Sequence, residues 1–197
     1  MVYNTFIHKQ TTTTTTKMNI NGHDIKPGAK LYGSDLYGAN LYGANLEGID
    51  LTNSTLENAN LENANLVGSK LELVNFKNAN LKNANLKNAN LHIANLEGAN
   101  LENANLENAN LEAANLKNSN LKNVKFRGAI LSKINLKNIN LEGIDLEGSD
   151  LKDSDLENAN LKNANLKNVI FENTYLGGAN LEGANLEGAN LSRAILE

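Results

Sequence analysis

The chain has 197 residues, no Cys, no Trp, one Pro, three His and a formal net charge of −4. Without Cys there is no disulfide framework, no thiolate nucleophile and no Cys-based zinc site. Eighteen basic residues against 22 acidic ones give no net basic charge for nucleic acid or anionic lipid, and 5% aromatic residues is thin for an ordinary globular core.

Residues 1–10 (MVYNTFIHKQ) hold no apolar run long enough for a signal peptide, and no later stretch has the apolar length of a membrane span. The reading is a cytoplasmic protein with no membrane association. Six threonines follow, Thr11 to Thr16, with no apolar pattern, so 1–17 reads as a disordered Thr-rich tail. Residues 18–28 (MNINGHDIKPG) read as a junction or N-terminal cap.

From Leu31 to Leu196 every fifth residue is Leu or Phe, giving 34 centres, three of them Phe76, Phe126 and Phe171. Two residues before the centre stands Ala or Ser in 26 of 34 cases, and one residue before it Asn or Asp, again in 26. One residue after comes the charge, as in Glu62 and Lys82, and two after comes Gly or Asn. A period of five is neither helix nor plain strand. It fits a short strand followed by a corner. Within the strand the small residue and the Leu face one side, the Asn and the charge the other. Gly or Asn at the corner tolerates the positive φ of a type II turn. A chain turning the same way at every fifth position closes on itself and stacks into a solenoid around a column of Leu.

The charges give the number of sides. Positions 20 apart form columns such as Glu62, Lys82, Glu102, Lys122, Glu142, Lys162 and Glu182. Over all such columns 16 neighbours have opposite sign and one pair, Lys117 and Lys137, has like sign. Cross-strand neighbours prefer opposite charge, so positions i and i+20 stack and each coil has four sides. The pairs help to fix a register that near-identical repeats would otherwise leave free to slip.

Runs such as NANLKNANLKNANL and ANLEGANLEGANL resemble the pentapeptide-repeat family, with its A-(N/D)-L-x-x motif, over residues 29–197. The resemblance implies an all-β, right-handed, four-sided parallel β-helix, here of about eight and a half coils and roughly 40 Å long. It also implies a second functional reading, because some members mimic duplex DNA and bind DNA gyrase. Those members are strongly acidic, end in C-terminal dimerisation elements and, in the best protectors, carry loops between coils. Here the charge alternates, the repeat is unbroken and the chain ends at Glu197.

Six corners lack Gly or Asn: Leu73, Ile93, Ala113, Lys133, Asp153 and Arg193, all spaced by multiples of 20. One reading is a turn without positive φ, because β-branched Ile93 resists it. The other is an exposed apolar strip of Leu73, Ile93 and Ala113, flanked by His92, Ile130 and Ile170, as a partner face. Tyr32, Tyr37 and Tyr42 form a partial ring on the first coil, as an interface or beneath an N-terminal cap. Around Val124, Ile134, Ile139 and Ile144, larger residues replace Ala beside Phe126. A locally wider or tilted coil is expected there, with bulk removing space rather than making a pocket.

Asp145, Asp150, Asp153 and Asp155 read as solvated surface, since residues on successive outer sides of a rod diverge and calcium needs six to eight converging oxygens. No Ser, His and acid come together by spacing, so no catalytic site, metal or cofactor is expected. The Asn columns read as structural ladders. Thr52 and Thr55 are too isolated for an ice-binding array. The leading function is a non-catalytic, rod-shaped protein-interaction module that binds neither nucleic acid nor membrane. The open last coil (Ala194, Ile195, Leu196) predicts end-to-end homodimerisation through 181–197 or a covering partner.

Overall fold

The computed structural model describes residues 18–20 and 22–197; the predicted tail over 1–17 lies outside the described residues. The described chain starts with an antiparallel hairpin, β1 (Met18–Ile20) paired with β2 (His23–Ile25), with Met18 opposite Ile25. From Lys30 onward no side of the coil is a long strand. Each side contributes one bridging residue, the one before the central Leu, and it pairs in parallel with its counterpart in the next coil: Asn40 with Asn60, Asn60 with Asn80, Asn80 with Asn100. The result is a four-sided β-helix. Its sides are numbered here one to four, centred in the first full coil on Leu31, Leu36, Leu41 and Leu46.

Three backbone hydrogen bonds join each side to the same side of the next coil. On the third side the Leu81 N–H donates to the Asn100 carbonyl (2.8 Å), the Asn83 N–H to the Glu102 carbonyl (2.9 Å), and the Asn100 N–H back to the Ala79 carbonyl (2.9 Å). The corner closes with a turn bond, as from Ala84 N–H to the Leu81 carbonyl (3.0 Å). Its third residue has φ near 60° throughout, for example 56° at Asn83 and 61° at Gly38, as a type II turn requires.

Asn and Asp before the centre do two jobs. Their side chains ladder along the stack: Asn80 Nδ2 donates to Asn60 Oδ1 (3.2 Å) and Asn120 Nδ2 to Asn100 Oδ1 (3.0 Å). Their Oδ1 also accepts the backbone N–H two positions on, as Asn80 does from Lys82 (3.2 Å). This Asx turn explains why Asp substitutes freely for Asn: Asp145, Asp150 and Asp155 accept the same way from Glu147, Lys152 and Glu157. The core is the column of Leu and Phe, from Leu36 to Phe171 nearly all fully buried, with Ala beside it. Buried Ser and Thr at the Ala position donate to backbone carbonyls, as Thr174 does to Leu151 (2.7 Å).

The ladder is interrupted at one place among the described residues. Between the coil holding Leu116 and Leu121 and the coil holding Leu136 and Leu141, the bridges that would pair Asn115 with Asn135 and Asn120 with Asn140 are absent. The N–H groups of Leu116, Asn118, Leu121 and Asn123 on one edge find no backbone acceptor across the gap. Neither do those of Asn135, Asn140 and Asp145 on the other. The first side stays closed, with Leu111 N–H to the Ile130 carbonyl at 2.7 Å and Ile130 N–H to the Ala109 carbonyl at 2.9 Å. The fourth side is stretched, with Phe126 N–H to the Asp145 carbonyl at 3.3 Å.

The cause is in the small-residue column. In the lower coil Ile134, Ile139 and Ile144 stand on the second, third and fourth sides, where the repeat has Ala, while the first side keeps Ala129. Three bulky wedges and one small residue tilt the coil open about its first side. The tilt agrees with the sequence reading. The expected loss of space does not: the wedges leave two surface clefts, of about 470 Å³ between 119–125 and 139–145 and about 560 Å³ between 114–119 and 135–140. The floor stays sealed, with Leu116, Leu121, Leu136 and Leu141 all buried.

Candidate interaction surfaces

The first side carries the irregular corner. All six of its unusual residues keep the left-handed turn: φ is 58° at Leu73, 56° at Ile93, 55° at Ala113, 60° at Lys133, 58° at Asp153 and 59° at Arg193. The expectation of a turn without positive φ is therefore corrected. The stack imposes the geometry, because the corner N–H groups must reach the next coil: Leu73 donates to His92 (3.0 Å), Ile93 to Glu112 (2.9 Å) and Ala113 to Ser132 (3.0 Å). Left-handed backbone costs an L-residue about 1–2 kcal/mol, and a β-branched residue there is a true outlier.

Leu73 is 52% and Ile93 46% exposed, and with Ala113 they stack as corner residues of three successive coils. His92 lies next to Ile93, its Nε2 4.0 Å from Glu112 Oε2. Ile130 and Ile170 are also exposed on this side, but on its other edge and not together. Asp150 pairs with both and separates them. At the lower end of the strip Lys133 Nζ donates to Glu112 Oε1 (2.8 Å). That hydrogen bond holds the Glu112 carboxyl below the usual carboxylate range and the Lys133 ammonium above the usual lysine range. The Glu112 contribution to stability is thus present above the ordinary carboxylate pKa and lost as pH falls through its lowered value. The Lys133 contribution is lost as pH rises through its raised value. Both groups lie at the surface, where water screens the pair.

Tyr32, Tyr37 and Tyr42 are exposed on three different sides, so they ring the rod rather than forming a patch. Asn58 Nδ2 donates to the Tyr37 hydroxyl (2.9 Å). At the far end Leu191, Ile195 and Leu196 are exposed. Tyr175, 52% exposed and bridged to Ile195, joins them. Sequence reasoning misses it, although an aromatic in an Asn column is a visible signal. The acidic residues spread out: Asp153 Oδ1 accepts from Asn173 (3.0 Å), and among the described residues no three His, Asp or Glu side chains converge as a metal group would. No helix among the described residues is long and apolar enough to cross a membrane.

The charge columns pair in one sense only. Lys82–Glu102, Lys87–Glu107, Arg127–Glu147, Lys137–Glu157, Lys152–Glu172, Lys162–Glu182 and Lys167–Glu187 all join a cation to the acid stacked on it in the next coil. A Glu whose cation lies in the next coil instead accepts from an Asn side chain of that coil, as Glu62 does from Asn80 (3.0 Å). About half of the predicted opposite-sign neighbours are thus ion pairs.

The profile described as Pentapeptide repeats matches residues 94–132, 129–168 and 159–197, and that described as Pentapeptide repeat region matches 27–106. The chain belongs to the pentapeptide repeat family. That family builds a right-handed quadrilateral β-helix. Among solved structures the chain is similar to HetL, a pentapeptide repeat protein involved in heterocyst differentiation regulation from the cyanobacterium Nostoc. Identity is 30% over 85% of this chain and 86% of that one, with a TM-score of 0.47. It is also similar to full-length QnrB1, a plasmid-mediated fluoroquinolone resistance protein, at 17% identity over 86% and 92% of the two chains, with a TM-score of 0.44. No functionally curated protein matched.

Proposed function

We propose that this pentapeptide repeat protein is a non-catalytic scaffold of about eight and a half coils that holds a protein partner along the corner of its first side. One observation carries the reading. Leu73 and Ile93 keep large apolar side chains in water, at backbone positions where Asn or Gly would sit with less strain. Residues that cost stability in the fold are candidates for a role outside it, and contiguous exposed apolar side chains suit a partner surface. A polyanion mimic draws no support from columns that alternate cation and acid along the rod.

The test separates fold from function. Leu73→Asn/Ile93→Asn is expected to raise the unfolding free energy by about 1–2 kcal/mol while losing the partner that the native rod retains from a lysate of its source. Unchanged retention by this variant, and by Leu73→Asp/Ile93→Asp, would overturn the face. A second contact surface is proposed on the coil of Leu191 and Leu196, where Tyr175, Ile195 and Leu196 are exposed apolar side chains. Light scattering is expected to show a concentration-dependent homodimer that Ile195→Asp/Leu196→Asp abolishes. A monomer at high concentration would contradict it.

A further inference from the structure

We propose that the opening between the coils of Leu121 and Leu141 is a binding slot for an extended acidic peptide segment. This site is separate from the apolar corner, and neither reading depends on the other.

Three observations converge on it. The first is the backbone. Along the second and third sides both edges of the slot present unpaired main-chain groups of both kinds. N–H donors such as Leu121 and Asn140 face a gap that elsewhere in the stack is closed by hydrogen bonds, and so do carbonyl acceptors such as Ser119 and Asn140. Paired backbone is the rule in folded proteins, and an unpaired edge is the surface to which an extended peptide adds as a strand. A ligand offering only acceptors, such as phosphate, would satisfy the N–H groups and leave the carbonyls unmatched.

The second observation is charge. The residues lining the two clefts carry four lysines, Lys117, Lys122, Lys125 and Lys137, against two acids, Glu142 and Asp145, in a chain whose net charge is −4. Arg127, Lys133 and Lys137 pair with Glu147, Glu112 and Glu157 on other coils. Lys117, Lys122 and Lys125, all on the upper edge of the opening, have no ion pair among the described residues. Lys122 has Glu142 as its stacked neighbour, but the split keeps them apart. Glu142 instead accepts from Asn160 (3.4 Å), and Asp145 from Asn165 (2.9 Å), both on the coil beyond. The only like-sign stacked pair in the chain, Lys117 and Lys137, also flanks this opening. An occupant bearing carboxylates meets three unpaired ammonium groups.

The third is shape. The two clefts, about 560 and 470 Å³, lie on adjoining sides and share Ser119, Ile139 and Asn140. They form one continuous groove that turns a corner, with a sealed leucine floor. Its width is set by Ile134, Ile139 and Ile144, so the device that opens the coil is built from side chains that can be replaced.

The test uses the whole chain and fluorescence anisotropy of labelled octapeptides at low salt. Acetyl-(Val-Glu)4-amide is expected to bind saturably. Acetyl-(Val-Lys)4-amide tests the charge and is expected not to bind; affinity equal to that of (Val-Glu)4 would overturn the acidic preference. Acetyl-(Pro-Glu)4-amide keeps the carboxylates but lacks the proline N–H groups, and is expected to bind at least about tenfold more weakly. Lys117→Gln/Lys122→Gln/Lys125→Gln, and separately Ile134→Ala/Ile139→Ala/Ile144→Ala, are each expected to weaken (Val-Glu)4 by about tenfold or more. Glu182→Gln/Glu187→Gln at the far end is expected to leave it unchanged. Circular dichroism shows which variants keep the fold, and each triple variant is sufficient by itself. No binding of (Val-Glu)4 would overturn the proposal. Equal binding of (Pro-Glu)4 or of octathymidylate would also overturn it, by reducing the effect to unspecific charge attraction. So would native affinity in the folded alanine variant.

Discussion

Phe76→Ala lowers the unfolding free energy by about 3–5 kcal/mol. Phe76 is fully buried on the second side, the phenyl ring sitting in a column with Leu56 above and Leu96 below. The coils around it are fully bonded, with Leu56 N–H to the Asn75 carbonyl and Phe76 N–H to the Asn95 carbonyl both at 2.7 Å. That rigidity is why the cost is near the upper end for a core truncation: a closed ladder cannot collapse onto the cavity, so the lost contacts are not replaced. Repeat arrays are stabilised mainly by nearest neighbours, so damage in one coil also weakens the interfaces on both sides of it. Urea unfolding followed by far-ultraviolet circular dichroism reads the change. A matched truncation, Leu196→Ala, is expected to cost under about 1 kcal/mol because Leu196 is 59% exposed. Equal losses for the two would contradict the core assignment.

Ile134→Ala/Ile139→Ala/Ile144→Ala behaves in the opposite way. Three Ile-to-Ala changes in a rigid core would cost about 6–15 kcal/mol together. Here the isoleucines are the wedges that hold two sides of the stack apart, and alanine is the residue the repeat uses at those positions. Their removal lets the lower coil settle onto the upper one and re-form seven missing backbone hydrogen bonds, each contributing about 0.5–1.5 kcal/mol. The expected net loss is only about 2–5 kcal/mol, the difference of the same two terms. A urea midpoint lowered by the full rigid-core loss would show that the isoleucines fill the coil rather than prop it open.

Much of this architecture is legible in the sequence because one signal is repeated many times. A leucine at every fifth position fixes the length of a side, and Glu62, Lys82 and Glu102 in one column fix the number of sides. The pairing of Asn60 with Asn80 and of Asn80 with Asn100 follows from those two facts. Other features are visible in the sequence but point the wrong way. The isoleucines at 134, 139 and 144 point to a tilted coil, which is found, but also to lost space, which is not: with Ala129 on the first side the added bulk wedges the coils apart and leaves clefts. The like-sign pair Lys117 and Lys137 marks the same place. A mismatch in an otherwise regular column is tolerated where the two residues are held apart.

The corner misleads for a different reason. Local preference says Ile93 avoids positive φ, but its N–H must reach the Glu112 carbonyl, and the bonded turns above and below leave no other conformation. The stack overrides propensity there, and no single pentapeptide contains that information. Conversely, the Asx turns at Asn60 or Asp145 are local, and the interchange of Asn with Asp in one column is their sequence signature.

Among the described residues a register of one full coil closes the rod except at one coil interface, which is open mainly on its second and third sides, and amide hydrogen exchange measured by NMR tests this residue by residue. Leu96, Gly98, Leu101 and Asn103 donate across a closed interface at 2.8–2.9 Å, and their amides are expected to exchange slowly. Leu116, Asn118, Leu121 and Asn123, on the same sides one coil further along, have no such acceptor and are expected to exchange faster by about two orders of magnitude or more. Uniform protection across both sets would contradict the account, because it would mean that the ladder runs unbroken past the three isoleucines.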